Sequence, residues 1–335
     1  MTPRRSRPVV VLLALALAWA APATGSFLER DGVRAFIRDV AEREGFNPAE
    51  LRGLFEEVEH QQGVLEAIAE PAEDLPWYRY RPIFLTDART AKGADFMREH
   101  AELLARAERE YGVPPAIVTA IIGVETFYGE HKGRYPVLDT LATLAFDYPP
   151  RSGFFRRELE QFLVLARKED LPVRSVVGSY AGAMGMPQFI SSSYREYAID
   201  FDGDGRRDLW RSTADVVGSV AAYLARHGWR RDAPVAHRVR PPTGQWRELL
   251  RSGLEPTIDG PTLRGAGIAV EPPVGDDERV KVLALDGAEG DGGEQIWVAR
   301  RNFYVITRYN HSPLYAMAVH QLARRIRAAA AGDAA

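Results

Sequence analysis

The run Ala116-Ile-Val-Thr-Ala-Ile-Ile-Gly-Val-Glu125 follows Tyr111-Gly112-Val113-Pro114-Pro115, and prolines in that place suit the first turn of a helix. Val118, Ile121, Ile122 and Glu125 then share one face by the i, i+3, i+4, i+7 rule. A carboxyl on an apolar stripe is desolvated, and at the C-terminal end of its helix it meets the negative end of the macrodipole. Both effects favour the protonated form, so the chemistry expected of Glu125 is proton donation by a general acid. Taken alone, a glutamate at a helix end more often turns to solvent. The following Thr126-Phe127-Tyr128-Gly129 sets this one apart.

A second block, Ser179-Tyr-Ala-Gly-Ala-Met-Gly-Met-Pro-Gln188-Phe-Ile190, mixes small residues that permit close backbone approach with an amide that both donates and accepts. By composition it suits either a cleft wall or a tight helix–helix contact. A third, Asp200-Phe-Asp202-Gly-Asp204-Gly205-Arg206-Arg207-Asp208, follows the early ligand spacing of an EF-hand loop, with Gly205 at the sharp turn. The position that should supply a bidentate glutamate is Arg211, and a cation there opposes calcium. The same aspartates can instead form a solvated Asx-turn, with Asp215 and Ser212 capping the next helix.

Several chemistries are excluded. The 335-residue chain has no cysteine, so disulfides and thiolate sites are absent, and its seven histidines form no H-E-x-x-H zinc motif. A formal charge of −3 with scattered arginines gives no reason to expect nucleic acid as a partner. At the N-terminus Arg4, Arg5 and Arg7 precede an apolar run from Val9 to Ala18, and Ala18-Trp19-Ala20 is a small-x-small cleavage pattern. Residues 1–25 are therefore expected to be a secretory signal, delivering a periplasmic protein without a lipid-accepting cysteine.

The elements that must hold these groups are mainly helical. Val33, Phe36, Ile37 and Val40 recur at helical spacing, as do Leu51, Leu54, Phe55 and Val58 behind an Asn47-Pro48 start in which Glu50 completes a capping box. Further helical faces are Leu103, Leu104 and Ala107; Leu159, Phe162, Leu163 and Ala166; and Val217, Val220, Ala221 and Leu224. From about Trp229 the texture changes to Pro241-Pro242, Pro272-Pro273 and a glycine cluster, Gly287 to Gly293. The runs Val280–Leu285 and Ile296–Ala299 predict a small β-rich subdomain between them. Ser312-Pro313 predicts the start of a last helix carrying Leu314, Met317, Ala318 and Leu322 back onto the core.

Val124-Glu125-Thr126-Phe127-Tyr128-Gly129 resembles the catalytic-glutamate signature of lysozyme-like lytic transglycosylases. With the Ser179–Ile190 block and Ile306-Thr-Arg-Tyr-Asn-His-Ser312, it looks like the membrane-bound lytic transglycosylase B family, the likeness running from about Trp77 to Leu322. The resemblance implies a goose-lysozyme-like α core with a helical flanking domain and a small β domain. Expected divisions are 26–110 for the flanking domain, 111–228 for the catalytic core, 229–300 for the β-rich part and 301–330 for a segment returning to the core. The resemblance makes Glu125 the sole acid/base, cleaving the MurNAc–GlcNAc bond of peptidoglycan with formation of 1,6-anhydro-muramyl ends. It places Ser179, Gln188, Tyr80, Tyr223, Tyr309, Asn310 and Tyr315 on the sugars, as amphipathic phenols and amides suit glycan clefts. It also implies an atypical metal loop of Asp200, Asp202, Asp204, the Arg206 backbone carbonyl and Asp215, holding a structural calcium that the chemistry does not require. The expected partner is the glycan strand, bound by a monomer with at most peripheral membrane or cell-wall association. Two rival readings stay open from the residues alone: a hydrolytic lysozyme and a non-catalytic peptidoglycan-binding protein.

Overall fold

The computed structural model describes residues 27–69, 75–240, 245–287 and 293–332. The expected signal at 1–25, Pro241-Pro242 and most of the 287–293 glycine cluster lie outside them. No helix among the described residues is long and apolar enough to cross a membrane.

The chain divides into two compact units at Val58. In the first, α1 (Asp31–Glu44) ends on left-handed Gly45, and α2 (Pro48–Glu56) begins behind Asn47, whose side chain accepts from the Ala49 N–H at 2.9 Å. That is the cap predicted from Asn47-Pro48. Val33, Phe36, Ile37 and Val40 of α1 and Leu51 and Phe55 of α2 are buried, with the Phe36 and Phe55 rings 5.9 Å apart.

The second unit contains, in order, α3 (Gln62–Ala69), α4 (Trp77–Phe84), α5 (Asp87–Glu99), α6 (Ala101–Tyr111), α7 (Pro115–Thr126), β1 (Tyr135–Pro136), α8 (Val137–Asp147) and α9 (Ser152–Lys168). There follow β2 (Val177–Gly178), α10 (Ser191–Tyr197), α11 (Thr213–Arg226), β3 (Ala236–Val239), β4 (Ile258–Asp259), α12 (Gly260–Gly265), β5 (Arg279–Leu285), β6 (Gln295–Ala299), α13 (Arg301–Tyr309) and α14 (Pro313–Ala331). α7 is the centre, packed by α5, α6, α11 and α14.

The sequence places Val118, Ile121, Ile122 and Glu125 on one apolar stripe of α7, and the structure extends that burial around the helix. Every residue from Ala116 to Val124 is buried, so no polar face exists. A helix apolar all round belongs inside a bundle, and at about 1.5–3 kcal/mol per fully buried Ile or Val it is a large part of what holds the unit together. The predicted faces of α9 and α11 are buried as expected, that of α6 is buried at Leu104 and Ala107 with Leu103 half-buried, and Ser312 caps α14 by accepting from the N–H groups of Leu314 and Tyr315.

The expected β runs are β5 and β6, central in an antiparallel sheet of order β3-β6-β5-β4 with Val282 opposite Val298. Short β3 and β4 carry no alternation strong enough to read from sequence. One face of the sheet closes over a separate small core that includes Trp246, Ile258, Leu263, Val280, Val282 and Val298.

Candidate active site

Pro114 and Pro115 start α7 and direct it through the core, and Glu125, half-buried, stands where it emerges. The helix stops abruptly. Phe127 and Tyr128 adopt left-handed backbone with φ of 51° and 60°, and the Phe127 and Tyr128 N–H groups return to the Gly123 and Ile122 carbonyls. Two consecutive non-glycine residues in that region are strained, each by on the order of 1–3 kcal/mol, and such strain persists only where packing enforces it. The enforcement is visible. The Tyr128 hydroxyl donates to the Arg89 carbonyl at 2.8 Å, and a Cβ at Gly123 would meet that hydroxyl at 2.5 Å. Arg89 Nε in turn donates to the Gly123 carbonyl at 3.1 Å, placing a cation at the negative end of the α7 dipole. Burial lowers the Arg89 pKa and raises that of Tyr128.

Glu125 Oε1 accepts from the Tyr315 hydroxyl at 2.5 Å. Tyr315, only 2% exposed, is set at the start of α14 by the Ser312 cap. The Tyr309 ring, from the end of α13, lies nearly parallel to it at 10°, with centroids 6.4 Å apart. The Tyr309 hydroxyl donates to the Pro187 carbonyl at 2.6 Å. Burial first, and then the Glu125 carboxylate, push both phenols well above their ordinary pKa, so both remain donors at working pH.

A cleft of about 1090 Å³ opens beyond this pair, lined among others by Gln188, Phe189, Tyr223, Tyr309 and Asn310. Glu125 is not in that lining. It is joined to the cleft wall through Tyr315, whose hydroxyl donates to it and whose ring lies parallel to that of Tyr309. Rings continue outward from Tyr309 to Tyr223 at 4.9 Å and from Tyr223 to Tyr197 at 4.7 Å. The cleft lining also carries Arg151, Lys168, Arg195 and Arg308.

The Ser179–Ile190 block is neither a helix nor a helix–helix contact, but a loop folded on itself by bridges from Met184 to Gly178 and Phe189. Gly182 and Gly185 have φ of 78° and 71°, and a Cβ on Gly185 would strike the Leu209 carbonyl at 2.6 Å. Here only glycine fits.

The residues expected on the sugars are not all open to a ligand. Ser179 Oγ accepts from the Ala181 and Ala183 N–H groups, and the Gln188 amide donates to the Gly185 and Lys132 carbonyls. Tyr223 is buried and donates to the Arg308 carbonyl at 2.5 Å. Tyr80, expected on a sugar, is 1% exposed and packed between Trp77 and Phe84. It lies near enough to Tyr315 to act on that phenol electrostatically, and it offers no stacking surface.

Thr126 and Arg89 were not legible as site residues. Thr126 Oγ1 donates to the Met186 carbonyl at 2.9 Å and accepts from the Gly129 N–H at 3.1 Å, fastening the glutamate's helix to the second block. The Thr beside Glu125 in the motif was a usable signal; nothing in the sequence singles out Arg89.

In the acidic loop, ligand oxygens of Asp200, Asp202 and Asp204 lie within 4.8 Å of one another. Asp200 accepts from the Gly203 and Gly205 N–H groups at 2.6 and 2.8 Å. Asp215 is outside that group: its oxygens accept from the Phe201 and Asp208 N–H groups at 2.7 and 2.8 Å, tying the loop to α11. Ser212 alone caps α11, accepting from the Asp215 N–H. Three converging carboxylates suit a hard, oxygen-preferring cation.

A family model described as the transglycosylase SLT domain matches residues 29–324. The chain is 38% identical over 312 residues, 90% of its length and 84% of the relative's, to membrane-bound lytic murein transglycosylase B of Escherichia coli strain K12. Among solved structures it is similar to the soluble lytic transglycosylase SltB1 of Pseudomonas aeruginosa, at 47% identity and a TM-score of 0.82, covering 90% of this chain and 99% of that one. It is also similar to an Escherichia coli lytic transglycosylase in complex with calcium, at 38% identity and a TM-score of 0.83, covering 92% and 96%.

Proposed function

Because the chain belongs to the SLT-domain family of lytic transglycosylases, with their lysozyme-like fold, we propose that Glu125 is its single acid/base and that each cleavage leaves a 1,6-anhydro-muramyl end. The enzyme is a peptidoglycan lytic transglycosylase. The observation that carries the assignment of Glu125 is the Tyr315 hydrogen bond at the emergence of a wholly buried helix. By donating to Oε1, Tyr315 leaves the proton of the neutral acid on Oε2, where it serves the leaving group. Glu125 donates that proton to the oxygen between MurNAc and GlcNAc as the C1–O bond breaks. The muramyl 2-acetamido group shelters the positive charge at C1. Glu125, now a base, takes the proton from the C6 hydroxyl as its oxygen bonds to C1, so the acid is regenerated and no water is consumed.

In this reading Tyr309, Asn310 and Gln188 meet the sugars, Tyr223 and Ser179 hold the surfaces that do, and Tyr80 stays buried near Tyr315. The divisions at 110, 228 and 300, export to the periplasm after removal of residues 1–25, and action as a monomer belong to the same proposal. So does a structural calcium on Asp200, Asp202, Asp204 and the Arg206 carbonyl, which supplies loop rigidity and no step of the reaction. The calcium complex of the similar structure supports it. Digestion of purified sacculi with mass analysis of the products tests the mechanism. Anhydro ends are expected. Ends heavier by one water make the enzyme a hydrolase and overturn ring closure.

A further inference from the structure

A second cavity, of about 1040 Å³, lies at the other end of α7 and α14 from Glu125. Ile117 in its wall is about 12 Å of helix from the glutamate, at a rise of ~1.5 Å per residue. Glycan chemistry leaves this cavity unused, yet its lining is unusual. His320 on α14 is 8% exposed, His237 lies on β3 and Trp229 follows α11, and His320 Nε2, His237 Nε2 and Trp229 Nε1 are all buried without a hydrogen-bond partner. An indole N–H can only donate, and leaving such a group unmet costs about 1–3 kcal/mol.

Arg238, Arg240, Arg324 and Arg327 also line the cavity, and among the described residues none of their four guanidinium groups makes a hydrogen bond or ion pair. Arg238, Arg324 and Arg327 also line an adjoining groove, so the positive surface continues past the cavity's edge. The carboxylate in the cavity lining is Glu271. The lining also has apolar residues, among them Ile117, Ala236, Ile268 and Val270. Burial, and then the fields of Arg324, His237 and Arg327, lower the His320 pKa to about 4, as a site with uncompensated positive charge must do.

We propose that this cavity binds a phosphate-bearing ligand, at a site separate from the glycan cleft. A guanidinium fork matches phosphate oxygens bidentately, and a ligand with several anionic oxygens suits a cavity lined by four arginines and one carboxylate. The apolar residues accommodate the ligand's body. Two sources share this chemistry, a soluble phosphate compound and the headgroup of an anionic lipid.

The test uses the mature chain, with inorganic pyrophosphate as probe in calorimetry at about physiological salt, where the Debye length of ~8 Å suppresses diffuse attraction. One-to-one binding is expected. The double variant Arg324→Gln/Arg327→Gln, both exposed positions, should weaken it at least tenfold. Digestion of sacculi should be unchanged in the arginine variant, which separates this site from the catalytic reading. Co-sedimentation of the wild type, but not the double variant, with phosphatidylglycerol vesicles identifies the lipid source. Pyrophosphate binding without vesicle binding identifies the soluble one. No heat with millimolar pyrophosphate, or an affinity in the double variant within twofold of wild type, overturns the proposal.

Discussion

In the proposed mechanism one carboxyl, that of Glu125, donates a proton and then recovers one. Glu125→Gln retains the shape and still accepts from Tyr315, but has no titrating proton. Release of product from sacculi should fall by at least the roughly 10²–10⁴-fold of a lost general acid/base. The melting temperature should hold or rise, because a desolvated catalytic acid is seldom the most stable choice for its place. Glycan binding should persist. Near-normal anhydro-product release by the variant moves the active site elsewhere. The neighbouring phenols differ in kind: Tyr315 touches the acid, Tyr309 lies parallel to Tyr315, and Tyr223 holds the backbone of α13.

At the scale of elements, the junction between α7 and the 179–190 loop sets the position of the acid. Thr126→Val is nearly isosteric but leaves the Met186 carbonyl and the Gly129 N–H without their partner. A cost of about 1–3 kcal/mol is expected, together with a fall in kcat larger than the stability loss explains, read by thermal denaturation and steady-state kinetics on the same sample. Stability loss with unchanged kcat would reduce Thr126 to a structural tie. The acidic loop stands on Asp215, which fastens it to α11, so a cation need only settle the three aspartates. Millimolar calcium should raise the melting temperature, and Asp202→Asn/Asp204→Asn should abolish the rise without touching the rate. An unchanged melting temperature in calcium removes the metal from the description.

At the scale of the whole molecule, the arginine-lined cavity makes stability depend on pH. The His320 pKa falls from 6.5 to about 4 on folding, so the unfolded chain binds the extra proton. Stability from this group is fully present above about 6.5 and is lost as the pH falls toward 4, on the order of 3 kcal/mol in all. The charges facing it are Arg324 and Arg327 on its own helix and His237 on β3, whose pKa is also lowered, by burial and then by Arg300. The melting temperature should therefore drop between pH 7 and pH 5, and His320→Leu should flatten the drop. A wild-type profile that is flat across that window contradicts the buried, unpartnered imidazole.

Features that belong to one stretch of chain were legible from sequence. Proline and serine at the start of α14, the asparagine cap of α2, the apolar faces of α9 and α11, and the glutamate with its Thr-aromatic sequel all express preferences of neighbouring residues. Packing decided the rest. That α7 is buried on every side follows from the helices around it, since periodicity reports only a helix's own composition. The hydrogen bond to Glu125 joins residues 190 apart, and Tyr80 exchanges an expected sugar contact for a place in the core because the fold surrounds it. The orphaned nitrogens of Trp229, His237 and His320 come from three separate elements. Only the tertiary structure brings them to one cavity, because a side chain's distant partners are set by the packing of whole elements and not by its spacing along the chain.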